Sequence, residues 1–304
     1  MTANATNRPL PNAEQRSVTQ VHRGVQTSDG AGVKLTRVIG SAQLNMLDPF
    51  LLLDVFESEN PDDYIGGFPP HPHRGFETVT YLLEGRMRHE DNAGNSGVIQ
   101  TGGAQWMTAG KGVIHSEMPE QVSGLLKGVQ LWINLPARLK GIDPGYRDVT
   151  ARQIPAEQGD GVNIKVLAGT TNIGTQGPLH AEATEPYFLD VCLDNKATFA
   201  QNLPYAHAAF IFVLDGELDV PGNAPSPSIR IAQGEIGVLS EGVRVTAKAT
   251  GNGTRFLLLA ARALGEPVAR GGPFVMNTRE EIRQAFDDYA SGAFGPNPWA
   301  GKRA

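Results

Sequence analysis

With 304 residues, 40% of them hydrophobic and 19% charged, the chain is long enough for two domains and apolar enough to exclude wholesale disorder. A net charge of −6 without any Lys/Arg run leaves no basic face for direct nucleic-acid binding. Cys192 is the single cysteine, so intramolecular disulfides and cysteine-based zinc cages are excluded, and a tight metal site must use His and carboxylate.

The 36 glycines and 21 prolines favour short strands and frequent turns over a helical bundle. Residues 1–17 are polar, carry no apolar signal region, and read as a flexible N-terminal arm. No apolar run reaches the roughly 18 residues that span a bilayer. A cytoplasmic chain with no membrane contact, and a monomer, is the expectation. From Val18 onward, short segments alternate with turn cues at Ser28-Asp29-Gly30, Gly66-Gly67, Asp91-Asn92-Ala93-Gly94-Asn95 and Gly102-Gly103. Thr78 to Leu83 reads as one strand, and Val129 to Leu135 alternates with period two as another. Residues 18–140 are expected to form a first barrel, 141–160 a Pro- and Gly-rich connection, and 161–270 a second barrel. Residues 271–304 then supply a helix and tail. The helix begins at Thr278 with Glu281 at capping-box spacing, and Ile282, Phe286 and Tyr289 share a face.

An internal echo supports a tandem duplication. Leu83-Glu84-Gly85 is matched by Leu214-Asp215-Gly216, and each glycine is followed at the same interval by another, Gly103 and Gly234. Gap-free counting sets Asn202 against His71, Pro204 against His73, Thr246 against His115 and Lys248 against Glu117. The second barrel is therefore expected to lack metal ligands.

The chemistry concentrates in two pairs. His71 and His73 stand at i and i+2, so in an extended strand both imidazoles point to one face. His115 and Glu117 repeat that spacing behind the glycines Gly110 and Gly112. Two such strands side by side inside a barrel offer three nitrogens and one carboxylate oxygen. That set suits Fe, Mn, Ni, Cu, Co or Zn with open positions, and lacks the all-oxygen character Ca²⁺ prefers. His22, His89, His180 and His207 have no such partners and read as surface or packing residues.

The His-x-His motif, with Glu77 following and a Gly-rich strand ending in His115, resembles the cupin pattern. One branch is much closer. Leu47-Asp48-Pro49-Phe50-Leu51, the run from Pro70 to Val79, Gln105-Trp106-Met107-Thr108-Ala109-Gly110, His115-Ser116-Glu117-Met118-Pro119, Gln130-Leu131-Trp132-Ile133-Asn134 and the run from Gly271 to Asn277 resemble the pirin family, over about residues 20 to 293. The resemblance implies two tandem cupin jelly-roll-like β-barrels with a C-terminal helix that crosses back toward the first barrel. It implies one Fe(II) held by His71, His73, His115 and Glu117. Glu77 is left behind the ligands or as an acid/base. Two activities follow from it. One is oxidative ring cleavage of a flavonol such as quercetin by O₂, with Glu117 or Glu77 taking the hydroxyl proton and Phe56, Phe68, Phe76, Trp106 and Met107 as pocket walls. The other is an iron-dependent redox-sensing regulator that binds a transcription factor or metabolic enzyme.

Overall fold

A computed structural model describes residues 14–222 and 227–300. The chain divides into two units. One combines residues 25–152 with 264–300; the other combines 14–24 with 153–263. Each is an antiparallel β structure, as the composition required, and each is described by itself.

The first unit has two main sheets. A seven-stranded sheet contains, from one edge to the other, Gly145–Val149, Ala104–Thr108, Phe76–Glu84, Leu126–Asn134, Phe50–Ser58, Val33–Ile39 and Val25–Asp29. A four-stranded sheet runs Phe68–His73, Val113–Pro119, Arg86–Asp91, Ser96–Gln100. Phe50 to Phe56 forms a central strand because its run of apolar side chains is buried on both faces. Leu35, Phe56, Leu82 and Ile99 pack into one cluster of this unit.

Residues 264–300 return to this unit: the helix as the resemblance implied, and with it residues 264–270, which were expected in the second barrel. The hairpin of Ala269–Gly271 with Phe274–Met276 bridges Arg74 through Phe274. Helix Arg279–Ala290 follows with both halves of the capping box formed at Thr278 and Glu281. Ile282 and Ala285 are buried, and Phe286 and Tyr289 pack their rings against Phe274.

The second unit is one nine-stranded sheet system built around the long strands His207–Pro221 and Arg244–Arg262. Its core is filled by Leu189, Val191, Ile211, Val213, Phe256 and Leu258.

Three further expectations about boundaries change. Val18–Arg23 does not open the first barrel; it pairs antiparallel with Glu235–Leu239 in the second unit. A strand's own alternation does not encode which sheet edge will accept it. The expected connection is partly sheet: Gly145–Val149 extends the first unit and Ala156–Gly159 the second. Most of the expected flexible arm lies outside the described residues, but Arg16 is fixed. It is 1% exposed, and its guanidinium donates to the carbonyls of Pro204, Tyr205, His207, Ser240 and Gly242. Burial lowers its pKa to about 10, against the opposing pull of Glu241.

Candidate metal centre

The strand Phe68–His73 lies against Val113–Pro119 with His71 directly opposite His115. Period-two alternation puts His73 on the same face as His71. The three rings meet: His71 and His73 centroids are 4.6 Å apart, His71 and His115 4.4 Å, His73 and His115 5.0 Å. One ring nitrogen from each lies within 4.8 Å of the others.

The far side of each ring fixes which nitrogen faces the centre. His71 Nδ1 lies 2.8 Å from the Pro69 carbonyl and His73 Nδ1 3.2 Å from the Pro273 carbonyl. A carbonyl only accepts, so both Nδ1 atoms carry a proton, and in a neutral ring Nε2 is then the atom that presents a lone pair. The two Nε2 atoms face each other at 3.0 Å. His115 Nε2 is buried and has no hydrogen-bond partner at all. Two ring nitrogens turned away from their donor sides, converging with a third that has no hydrogen-bond partner, suit a cation among them. The donor set therefore fits a divalent transition metal of the kind imidazole prefers. Burial, reinforced by the neighbouring His71, pushes the pKa of His73 and His115 well below the ordinary histidine value. Both rings are thus neutral, as ligands must be.

Glu117 is 1% exposed on the same strand as His115, two residues on. It is not gathered into the imidazole cluster. Its Oε1 accepts from Thr80 Oγ1 at 2.9 Å and Gln105 Nε2 at 2.5 Å, and its Oε2 accepts from Gln130 Nε2 at 2.6 Å. Both amides are oriented from behind: Trp132 Nε1 donates to Gln130 Oε1, and the Tyr146 hydroxyl donates to Gln105 Oε1. Their NH₂ groups are left to face the carboxylate.

Glu77 departs from expectation. Phe76 packs on His73 and Trp132, and Thr80 reaches Glu117, so the even positions of this strand face the site. Glu77 is an odd position on the opposite face, where it accepts from Thr108 Oγ1 at 2.7 Å. Burial raises its pKa although the Thr108 and Trp106 hydrogen bonds oppose that. It cannot serve as the acid/base of this centre.

His71 and His73 open onto a cavity of about 610 Å³ that Phe68 and Trp132 also line. The half-buried Arg37, its ion-pair partner Asp54 and residues of the returning segment, among them Arg270, Pro273 and Val275, line it as well. Of the expected walls only Phe68 lines it. Phe76 lies beneath Trp132; Phe56 and Met107 belong to packing clusters; Trp106 shares the face of Glu77. Trp132 was missed as a wall, although its i+2 step from Gln130 carried the signal.

His89 also departs from expectation. It is fully buried, with Nδ1 3.4 Å from His115 Nδ1, Nε2 3.3 Å from Asp91 Oδ2, and its ring stacked on Tyr146 at 4.3 Å. His207 is buried in the second unit, while His180 is exposed. Gap-free counting across the repeat slips by two residues: Asn202 pairs with Arg244, and Thr246 with Ala200. Among the described residues, no cluster of metal-ligating side chains other than His71, His73 and His115 is found.

One β unit with a histidine triad that opens onto a cavity, and a second β unit with no such cluster among its described residues, define a two-domain cupin protein. Comparison makes the family specific. The Pirin family model matches residues 32–133 and the Pirin C-terminal cupin domain model matches residues 188–295. The chain is 49% identical to a Pseudomonas aeruginosa protein provisionally named quercetin 2,3-dioxygenase, across 91% of this chain and 97% of that one. It is 48% identical to a pirin-like protein of Caulobacter vibrioides, across 92% and 99%. A crystal structure of quercetin 2,3-dioxygenase from Acinetobacter baumannii superposes with a TM-score of 0.83 at 32% identity, covering 92% of this chain and 99% of that one. The chain belongs to the pirin family.

Proposed function

We propose that the chain is a metal-dependent dioxygenase of the pirin type that opens the heterocycle of a flavonol, such as quercetin, with O₂ and releases CO. One observation carries the reading: His71 and His73 of the histidine triad line a cavity of about 610 Å³ that Trp132 and Phe68 also line. That volume suits a flat aromatic molecule of a few fused rings. The names of the relatives point the same way.

In this reading His71, His73 and His115 hold one ion, Fe(II) first among the candidates, with Glu117 as the fourth ligand. When bound, such an ion supplies Lewis acidity toward the substrate hydroxyl and electron exchange with O₂. The protein's own part is positional and protic. Trp132 and Phe68 offer the rings apolar wall surface. Gln105, Gln130 and Thr80 hold the Glu117 carboxylate in place. Glu117 is the carboxylate placed to receive the substrate's hydroxyl proton, since Glu77 lies across the sheet.

The test is loss of quercetin absorbance under air by protein loaded with iron, and in parallel with Mn, Ni, Cu or Co. Turnover that disappears in His73→Ala and Glu117→Gln is expected. Absence of turnover with every one of these metals would overturn the proposal.

A further inference from the structure

We propose that His89 and Asp91 are positioning residues that fix the tautomer of His115, so that its Nε2 lone pair, and not an N–H, points into the triad. This rests on reading the triad as a metal centre. His71 and His73 are oriented by backbone carbonyls, which can only accept. His115 has no carbonyl behind it. The atom there is His89 Nδ1, at 3.4 Å, and an imidazole nitrogen can either donate or accept. The orientation of His115 is therefore undecided until something fixes His89.

Asp91 does so. It is the last residue of the strand Arg86–Asp91, and the turn that follows surrounds it with donors. Its Oδ1 accepts from the backbone N–H of Ala93 and of Asn95, and its Oδ2 accepts from Asn95 Nδ2 at 2.9 Å. These three donors hold the group as an acceptor, so the fourth contact, to His89 Nε2 at 3.3 Å, must be received as well. His89 Nε2 then carries the imidazole proton and His89 Nδ1 is a lone pair. That lone pair accepts from His115 Nδ1–H, and His115 Nε2 is left bare in the centre, where it is buried and without a partner. Tyr146 stacks on His89 at an interplanar angle of 17° and holds its plane. The hydrogen bonds run one way, from His115 to His89 to Asp91. Reversing them would turn an N–H into the triad and cancel one ligand.

Asp91→Asn is the discriminating change. The Asn keeps the Oδ1 acceptor for the Ala93 and Asn95 N–H groups but presents an NH₂ toward His89. His89 Nε2 would then accept, its Nδ1 would donate, and His115 would be protonated on Nε2. Long-range ¹H–¹⁵N correlation spectra of the metal-free protein should show His115 as the Nδ1–H tautomer in the wild type and as Nε2–H in Asp91→Asn. Co(II) affinity, measured against a competing chelator, should fall about 10- to 100-fold. His89→Leu removes the acceptor without offering a donor, and should lower Co(II) affinity by about 10-fold. That variant keeps the question open to measurement if Asp91→Asn disturbs the turn. An Nε2–H tautomer in the wild type overturns the proposal, as does unchanged Co(II) affinity in folded Asp91→Asn or His89→Leu. If the wild type bound no Co(II) at all, the metal reading would fall, while the apo spectra would still decide the tautomer.

Discussion

Gly75 is where the site strand and the returning C-terminal segment touch, and it gives the sharpest test of how the centre is held. Its φ is +87°, and a Cβ placed on it would lie 2.0 Å from the Val275 carbonyl oxygen. Gly75→Ala therefore has two costs. The left-handed backbone costs about 1–2 kcal/mol with a side chain present. Val275 must also retreat by at least about 1 Å. That retreat strains two hydrogen bonds, Val275 N–H to the Arg74 carbonyl at 3.0 Å and Lys140 Nζ to the Val275 carbonyl at 3.0 Å. Each contributes about 1 kcal/mol, for a total near 3–4 kcal/mol. In a unit of this size the melting midpoint should drop by roughly 10 °C. The Pro273 carbonyl that orients His73 is two residues from Val275, so retention of added Co(II) should weaken in the same variant. Gly141→Ala is the control, because a Cβ there meets nothing and φ is unremarkable; it should change stability by less than about 0.5 kcal/mol. Thermal unfolding and Co(II) titration of both variants decide the matter. Equal behaviour of the two would refute the claim that the C-terminal segment braces the site at Gly75.

Other substitutions test separate parts of the structure. Glu77→Gln should leave Co(II) affinity unchanged. The sign of its pH effect follows from the raised carboxyl pKa: above the ordinary glutamate value the folded state keeps a proton that the unfolded state releases, so Glu77 costs stability as pH rises. Urea titrations at pH 4 and pH 7 should accordingly show the variant gaining on the wild type at the higher pH. Asp54→Ala leaves the Arg37 guanidinium, bound to Asp54 at 2.9 and 2.7 Å, with only the exposed Asp29 as a carboxylate partner. A loss of about 3 kcal/mol in chemical denaturation is expected. Arg16→Ala strips the donor from five carbonyls of the second unit and should lower its stability by at least about 3 kcal/mol, while Co(II) binding by folded protein stays intact.

The two i, i+2 pairs were legible because they depend on local geometry alone. His71 with His73, and His115 with Glu117, needed only period two and an extended backbone. The pair His89 and Asp91 has that same period on the strand Arg86–Asp91, yet Asp91 also opens the turn to Asn95, and the turn cue masked the pairing. Gln105, Gln130 and Trp132 reach Glu117 or the cavity from a different sheet. Their meeting is decided by how two sheets face each other, which no short stretch encodes. The same holds for the strand Val18–Arg23, whose partner lies more than 200 residues away.

Glu77 is the more instructive miss, because the sequence contained its correction. Carrying parity from His71 and His73 to Glu77 assumes an unbroken strand. Gly75 breaks it: the strand ends at His73 and the next begins at Phe76, across a residue that takes a positive φ. The two segments then enter different sheets, and alternation restarts with Phe76 facing the site. His115 and Glu117 lie within one strand, Val113–Pro119; its register shifts between them against Phe68–His73 but runs unbroken against Arg86–Asp91. A glycine between two candidate ligands resets the face count. One that directly precedes such a pair, as Gly112 precedes Val113–Pro119, leaves the count intact, and that difference separates the carboxylate beside the triad from the one across the sheet.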